Sequence, residues 1–252
     1  MARVIKTYYD GGQLKEEYFE NDGKKEGEYK EYNSNGQLID VCNYVNGNKS
    51  GGFKSFYGNG QLYCTCNYVD GKIEGEYKMY SSNGQLYVID NHVNGNRHGE
   101  YKRYHRDTGQ LWEICNYVDE KIEGEYKVYY DHGQLCEQCN HINGKRDGEY
   151  KSYYLNGQAH TICNYVDGKI EGEYKSYHAN GQLWVIYNCV NGMYHGEYKT
   201  YRENGQLFSM GNFVDGKAEG EFKEYDENGK LDQILYYVNN IQQNKNWFVY
   251  YL

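Results

Sequence analysis

The stretch "NYVDGKIEGEYKSYHANGQL", from Asn164 to Leu183, decides the fold. Its words recur along the chain, and the glycine of the NGQL word returns every 24 residues, with a single step of 25. The glycines that mark this period are Gly12, Gly36, Gly60, Gly84, Gly109, Gly133, Gly157, Gly181, Gly205 and Gly229. A fixed period of this length indicates an array of repeats, each of which packs mainly against its neighbours.

Each repeat contains two turn signals, which in the quoted stretch are Asp167-Gly168 and Asn180-Gly181. These dipeptides accept the positive φ angles of tight hairpin turns, so one repeat makes two antiparallel strands. We predict an all-β fold, a tandem β-hairpin repeat array in an elongated, twisted antiparallel sheet of about twenty strands. We expect a single repeat domain over residues 1–252, with about ten repeats and half-repeats at 1–11 and 230–252.

The register of one hairpin divides its residues between two faces. If Asp70-Gly71 is a two-residue turn, the flanking strands pair so that Thr65 lies opposite Glu76. Because alternate side chains point to opposite faces, one face then becomes apolar almost throughout. Its residues are Leu62, Cys64, Cys66, Tyr68, Ile73, Gly75, Tyr77 and Met79.

The opposite, mainly polar face carries a narrower apolar stripe, formed by the residue that follows NGQL and its neighbour. Aromatic rings flanked by Asn and Glu suit contact with a protein strand or helix, or stacking on sugar rings. The alternative is that sheet curvature covers the stripe, or that it packs against neighbouring repeats. The predicted binding residues are Tyr63, Tyr87, Trp112, Trp184 and Phe208.

A second pattern, with a period of 48 residues, lies over the first: the hairpin turn alternates between an Asp form and an Asn-Gly form. Duplication of a pair of repeats explains the alternation, and alternating surface chemistry is the functional alternative. The sequence leaves both open. The Asp form occurs at Asp70, Asp119, Asp167 and Asp215, and the Asn form at Asn46, Asn94, Asn143 and Asn191.

Composition limits the classes of partner. Hydrophobic residues are 38% of the chain, and 33 of its residues are Tyr, whose hydroxyl needs a hydrogen-bond partner when the ring is buried. The net charge of -9 disfavours nucleic acid and anionic membrane surfaces. The N-terminus has no apolar signal-peptide core, and no apolar run is long enough to span a bilayer. We expect a soluble, intracellular, non-secreted protein in the cytoplasm, or in the host cytoplasm or virion if it is viral.

Five of the eight cysteines occupy one column of the apolar face, which we place opposite the small Gly of the partner strand. Equivalent residues in successive hairpins lie roughly 10 Å apart, at about 4.8 Å per strand, whereas a disulfide needs Cα atoms within about 7 Å. We therefore predict small buried hydrophobes in a reducing compartment. The column is Cys42, Cys66, Cys115, Cys139 and Cys163.

Other reactive side chains are poorly arranged for chemistry. Cys136 and Cys139 form a lone CxxC whose members point to opposite faces of a strand. His98 and His195 share a register but lie four repeats apart, and we expect solvated turn residues. The glutamates of the GEYK word all have the same neighbours, which favours a charge ladder over a catalytic pair. We predict no metal, no cofactor and no enzymatic activity.

The words "NGNRHGEYKRY" at Asn94–Tyr104 and "NGKRDGEYKSYY" at Asn143–Tyr154 resemble MORN-type repeats. With NGQL at a 24-residue period, the chain is similar to the MORN-repeat variant of bacterial antitoxin-like proteins and of giant DNA viruses of amoebae. This resemblance implies stacked hairpins that bind other proteins, or in some cases lipid, without catalytic residues. The sequence departs from the pattern at its ends, where Lys15, Glu16 and Glu17 replace apolar positions.

We therefore expect a non-enzymatic repeat scaffold for protein-protein interaction, with an unidentified partner and a structural or host-interaction role in a giant virus. The alternatives are a toxin-neutralising protein, or carbohydrate or lipid-headgroup binding by the aromatic stripe. An apolar, unpaired edge strand recruits a partner, so we also predict a homodimer through the C-terminal edge. That edge comprises Trp247, Phe248, Val249 and Tyr250.

Overall fold

The computed structural model describes residues 3–243, and within them every regular element is a β-strand. The predicted all-β hairpin-repeat class is confirmed. The chain divides into two compact units, one running to Glu123 with Asp131–Gly133, the other comprising Gly124–Tyr130 and the chain from Gln134 onward. The boundaries of a single domain over residues 1–252 stay a prediction.

In the first unit, consecutive hairpin strands pair antiparallel along the chain, and a two-residue strand and the longer strand after it within the unit pair with the same preceding strand. Its strands are β1 Arg3–Tyr8, β2 Leu14–Asn21, β3 Lys24–Tyr32, β4 Leu38–Val45, β5 Asn48–Phe56, β6 Leu62–Val69, β7 Lys72–Ile73, β8 Gly75–Tyr80, β9 Leu86–Val93, β10 Asn96–Arg97, β11 Gly99–Tyr104, β12 Leu111–Val118 and β13 Lys121–Ile122.

The second unit repeats the same meander. Its strands are β14 Gly124–Tyr129, β15 Leu135–Ile142, β16 Lys145–Arg146, β17 Gly148–Tyr153, β18 Ala159–Val166, β19 Lys169–Ile170, β20 Gly172–Tyr177, β21 Leu183–Val190, β22 Met193–Tyr201, β23 Leu207–Val214, β24 Lys217–Ala218, β25 Gly220–Tyr225, β26 Leu231–Val238 and β27 Ile241–Gln243.

The two turn signals build two different turns. At Asp70-Gly71 both residues have positive φ, 49° and 80°, as a two-residue type I′ turn requires. At the NGQL word the loop has three residues, since the Ser81 N–H donates to the Gln85 carbonyl at 2.8 Å. Only Gly84 has positive φ there, so this is a type I turn closed by a glycine bulge. The tight Asn-Gly turn predicted at this second position is a longer loop.

A bulge in the returning strand makes the predicted register wrong by two residues. Glu74 donates its N–H to the Asn67 carbonyl at 2.9 Å, Gly75 follows with φ of 81°, and Thr65 pairs with Lys78 instead of Glu76. An even shift keeps each side chain on its predicted face. The bulge also divides strands: six of the 27 are two-residue pieces before a longer strand, so full-length strands agree with the predicted number.

The core is one layer of rings over small side chains. Cys66 pairs with Phe53 on the preceding strand, and the Tyr68 ring meets the Phe53 ring edge-on at 5.7 Å. The cysteine column therefore faces aromatic residues, and its predicted position opposite Gly is wrong. The Cys-aromatic pairs are Cys42 with Tyr29, Cys66 with Phe53, Cys115 with Tyr101, Cys139 with Tyr126 and Cys163 with Tyr150.

Candidate functional site

The predicted binding residues all lie at a β-bulge that follows the NGQL loop. Cys64 pairs with Ser55 and Leu62 pairs with Phe56, so Tyr63 between them has no opposing residue. A bulge redirects the side chain that it carries. We call the equivalent positions the bulge row, whose aromatic members are Tyr63, Tyr87, Trp112, Trp184 and Phe208.

The bulge places Tyr63 and Tyr87 on the same face as the cysteines. Tyr63 packs against the buried cluster that contains Cys64, and the Tyr87 hydroxyl donates to the Met79 sulfur at 3.7 Å. Met79 pairs with Cys64 across the strands. For these two tyrosines, the prediction that the stripe runs along the mainly polar face is wrong.

In the first unit, neighbouring side chains cover the bulge row. Tyr87 is 8% exposed, beneath Met79 and with the guanidinium of Arg106 4.3 Å from its ring centre. The Arg103 guanidinium lies 4.0 Å from the centre of the Trp112 ring. These residues therefore pack within the repeat, which was the alternative reading of the stripe.

In the second unit, two members of the bulge row remain open. Trp184 is 47% exposed and Phe208 is 42% exposed. The residue that directly follows GEYK is Arg103 in the repeat of the covered Trp112. At the same position, Ser176 precedes Trp184 and Thr200 precedes Phe208. Because these residues are short, they do not reach over the rings. We call Trp184 and Phe208 the aromatic pair.

The aromatic pair is held in position by the first residue of each NGQL loop. The His178 ring lies 6.0 Å from the Trp184 ring, and its Nε2 donates to the Tyr201 carbonyl at 2.9 Å. The Arg202 guanidinium lies 4.5 Å from the Phe208 ring centre and donates to the Tyr225 carbonyl at 2.8 Å. Each ring thus packs on a side chain that is hydrogen-bonded to the next hairpin.

A second kind of contact between hairpins lies near the type I′ turns. It is made by the residue directly before each GEYK word. Glu74 accepts the N–H of Asn94 at 2.8 Å, in the turn of the next hairpin. Glu171 accepts the N–H of Asn191 at 2.7 Å in the same way. Asp147 makes the same contact with an Asp-form turn, because its carboxylate accepts the N–H of Asp167 at 3.0 Å.

Two hairpins have histidine at the position of Glu74. His98 Nδ1 lies 3.6 Å from the Asp119 carboxylate, and His195 Nδ1 lies 3.5 Å from the Asp215 carboxylate. These histidines are exposed, as predicted for turn residues, and each faces the Asp form of the next turn. At these two turns the Asp form of the 48-residue alternation thus coincides with a complementary contact from the preceding hairpin.

The alternation also reaches the aromatic face, at a column that sequence reasoning missed. We call it the cation row, because Lys or Arg occupies it after the turns at Asn46, Asn94 and Asn143 and also after the turn at Asp22, whereas Ile follows the turns at Asp70, Asp119 and Asp167. Arg146 lies 4.8 Å from the Tyr150 ring centre and 5.6 Å from that of Tyr165, and its Nη2 is 2.6 Å from Glu137. The row reads Lys25, Lys49, Ile73, Arg97, Ile122, Arg146, Ile170, Tyr194 and Ala218.

The cysteine column is buried, as predicted, and its thiols are free. Burial raises the pKa of Cys66 to about 11 and that of Cys115 to about 12, so both stay protonated at neutral pH. Cys136, at a bulge, is the half-buried exception. The surroundings of the buried thiols thus disfavour the thiolate form that nucleophilic and metal-binding cysteines need.

The GEYK glutamates each pair with the lysine two residues later, for example Glu173 with Lys175 at 2.5 Å and Glu197 with Lys199 at 2.8 Å. These pairs line two equivalent open grooves of about 450 Å³ and 430 Å³ in adjacent repeats of the second unit. Glu149, Glu173 and Glu197 each have a lysine partner at these grooves, whereas Glu171, which lines one of them, accepts the N–H of Asn191. The predicted charge ladder is a cross-strand one, but each of these ion pairs joins two residues of the same strand.

Three expectations concern other features of the chain. Residues 3–243 contain no cluster of three or more His, Cys, Asp or Glu side chains suited to a metal ion. Over the same range there is no helix of the length and apolarity that a membrane crossing needs. The predicted self-association edge, Trp247, Phe248, Val249 and Tyr250, lies outside the described residues.

A family model described as "MORN repeat variant" matches nine consecutive segments that cover most of the chain. The segments are 25–46, 50–70, 73–94, 97–119, 122–143, 146–167, 170–191, 194–215 and 218–239. The chain belongs to the MORN repeat variant family. A typical MORN segment begins on the returning strand of one hairpin, contains the GEYK and NGQL words, and ends in the next type I′ turn. The resemblance noted from the sequence is confirmed.

Comparison with curated proteins gives no match. Among solved structures, the MORN protein is similar to a chain of "Crystal Structure of TcdB2-TccC3-Cdc42", with 12% identity, a TM-score of 0.20, and coverage of 97% of this chain and 17% of the other. It is also similar to a chain of the Photorhabdus luminescens Tc holotoxin pore, with 12% identity, a TM-score of 0.21, and coverage of 90% and 15%. The MORN protein thus spans less than a fifth of the length of either chain.

Proposed function

We propose that this MORN repeat protein is a non-enzymatic scaffold for protein-protein interaction, and that the aromatic pair is its main contact with a partner. The observation that carries the proposal is the half-exposed state of Trp184 and Phe208 in a row whose equivalents Tyr87 and Trp112 are covered. Large rings that stay accessible on a repeat surface are the residues that most often dominate protein interfaces.

The surroundings of the aromatic pair favour binding without reorganisation. The two rings lie two strands apart, roughly 10 Å at about 4.8 Å per strand. Because His178 and Arg202 fix each ring against the next hairpin, little side-chain entropy is lost when a partner covers them. A strand or helix with apolar side chains at matching spacing fits this geometry.

A capture experiment with matched variants tests the proposal. The immobilised protein is incubated with extract of its native cells or virions, and bound proteins are quantified by mass spectrometry. The double variant W184A/F208A should lose one or more specific partners. The control V166S/V214S removes side chains of similar exposure, 51% and 43%, beside the type I′ turns of the same unit, and should retain them.

The outcome separates the proposal from its alternatives. A partner lost only with W184A/F208A, and bound directly after purification, supports the scaffold function; if that partner is a toxin, the scaffold neutralises it. Retention by both double variants, or equal loss with both, contradicts the proposal. Binding to a glycan array or to liposomes without a protein partner would favour carbohydrate or lipid-headgroup recognition instead.

The location, the biological role and the self-association of the protein each have a separate test. We infer an intracellular location and a structural or host-interaction role in a giant virus from the free thiols and the family resemblance. Fractionation of the native host and of purified virions checks both. The homodimer through Trp247–Tyr250 predicts a dimer in light scattering, and a monodisperse monomer at working concentration contradicts it.

A further inference from the structure

Four members of the cation row lie over pairs of aromatic rings in the same way. One ring lies four residues after the basic residue, and the other lies on the following strand. The distances from cation to ring centre are 4.1 and 5.5 Å for Lys25 over Tyr29 and Tyr44, 4.5 and 5.3 Å for Lys49 over Phe53 and Tyr68, 5.6 and 5.3 Å for Arg97 over Tyr101 and Tyr117, and 4.8 and 5.6 Å for Arg146 over Tyr150 and Tyr165.

Most of these cations also have a carboxylate partner on the same face. The distances are 3.6 Å for Lys25 to Glu16, 2.8 Å for Arg97 to Asp90 and 2.6 Å for Arg146 to Glu137. Aromatic faces attract cations through the ring quadrupole, and a neighbouring carboxylate adds to this attraction. The repeat therefore specifies a cation site with two rings and an acid.

The hairpin of strands β24 to β26 keeps the rings and lacks the cation. The cation-row residue is Ala218, Phe222 follows four residues later, and Tyr237 lies on the next strand. The centres of the Phe222 and Tyr237 rings are 5.0 Å apart with an angle of 72°, and the Phe213 ring is 5.5 Å from Phe222. All three rings are half-buried, so each keeps an accessible part.

Ala218 makes the floor of this site. It is 8% exposed and its side chain ends at Cβ, whereas the Arg146 side chain extends over its two rings. An acid lies near the rings as well, but it is not at the position of Glu137, which is Ser209 in this hairpin: Glu224 follows Phe222 by two residues and pairs with Ser209 across the strands. Glu224 accepts a hydrogen bond from the Gln233 side chain and has no lysine or arginine within ion-pair distance among the described residues.

We propose that the well formed by Ala218, Phe213, Phe222 and Tyr237, with Glu224 at its rim, binds the guanidinium of an arginine side chain supplied by a protein partner. Arginine suits the site better than lysine because its planar, weakly hydrated guanidinium stacks on aromatic rings. The proposal rests on the proposed function for the source of the arginine. The site itself rests on the four equivalent sites that the chain fills with its own side chains.

An NMR titration tests the site with a defined probe. The ring signals of Phe and Tyr are followed while N-acetyl-arginine amide is added to the full-length protein at low salt. N-acetyl-citrulline amide, which has nearly the same shape without the charge, is the control ligand. The arginine compound should shift the signals of Phe222 and Tyr237 in a saturable way, and the citrulline compound should leave them within error of their starting positions.

Two variants copied from other repeats fill the well. A218I places in it the residue found at Ile170, and A218R places the residue found at Arg146. Both should abolish the arginine-induced shifts, and the far-UV circular dichroism of each shows whether it folds. A218I is the smaller change and decides the matter if A218R fails to fold.

Three results would overturn the inference: no saturable shift with the arginine compound, equal shifts with citrulline, or shifts that persist in A218I. The W184A/F208A variant should bind the arginine compound like the wild type. The experiments can therefore contradict the arginine site while the proposed function holds. They can likewise support the arginine site when the proposed function is contradicted.

Discussion

Arg146 and Glu137 form a pair whose equivalents one repeat later are Ile170 and Thr161. We predict that replacing both members of this charged pair together destabilises the protein less than the two single replacements added together. R146I removes a cation from two aromatic rings and leaves Glu137 without its partner at 2.6 Å. E137T leaves Arg146 between the rings without its carboxylate. The double variant E137T/R146I reproduces the arrangement of the next repeat.

The expected magnitudes follow from partial burial. The side chains are 36% exposed for Arg146 and 22% exposed for Glu137, so breaking the pair costs less than the 3–5 kcal/mol or so of a fully buried pair. Adding about 1 kcal/mol for the lost ring contact, we expect R146I to lower the free energy of unfolding by about 2 kcal/mol and E137T by about 1. The double variant should lose about 1 kcal/mol, which gives a coupling of about 2 kcal/mol.

Equilibrium urea unfolding measures these differences, with far-UV circular dichroism and tryptophan fluorescence recorded on the same samples. Repeat arrays can unfold in parts, so coincidence of the two curves is required before free energies are compared. The control I170R introduces a cation without an acid and should be destabilising. If E137T/R146I loses as much as the two single variants together, the cation row and its acids are not coupled.

Three further predictions concern the packing at Gly211, the pH dependence of stability at Glu16 and the reactivity of the cysteines. G211A should destabilise the protein by about 1–3 kcal/mol in the same urea assay, because an added Cβ would collide with the Phe222 ring that lies over Gly211. Burial alone would raise the pKa of Glu16, but the hydrogen bond from Tyr29 and nearby ammonium groups lower it. The E16Q variant should therefore show its full loss of stability above about pH 4.5, and this loss should vanish as the pH falls through the lowered pKa of Glu16. In native protein at pH 8, iodoacetamide should modify Cys136 first and the seven buried thiols only on unfolding, as peptide mass spectrometry will show.

The hairpins follow from the sequence because Asp-Gly and Asn-Gly return at a fixed spacing, and the faces follow from alternation. The register does not, because a bulge at Gly75 and an ordinary strand glycine look alike in the sequence. The bulge at Tyr63 has a larger effect, since a single extra residue moves the side chain to the other face.

The candidate site is therefore only partly readable from the sequence. The row that contains Trp184 and Phe208 was identified, but the face predicted for it is wrong at Tyr63 and Tyr87, and the exposure of its members differs. Arg103 covers Trp112 and Ser176 leaves Trp184 open, but this contrast becomes informative only when the bulge is known, and Ser55 before the packed Tyr63 does not follow it. The pairing of His98 with Asp119 shows the same limit, because the two residues meet across neighbouring hairpins.

The most direct test of the scaffold function is hydrogen-deuterium exchange of the protein alone and with its purified partner. The proposal predicts slower exchange around residues 176–186 and 200–210, with the first unit unchanged and the effect absent in W184A/F208A. Protection confined to the first unit, or to the type I′ turns beside Val166 and Val214, would show that the partner binds elsewhere and would contradict the proposal.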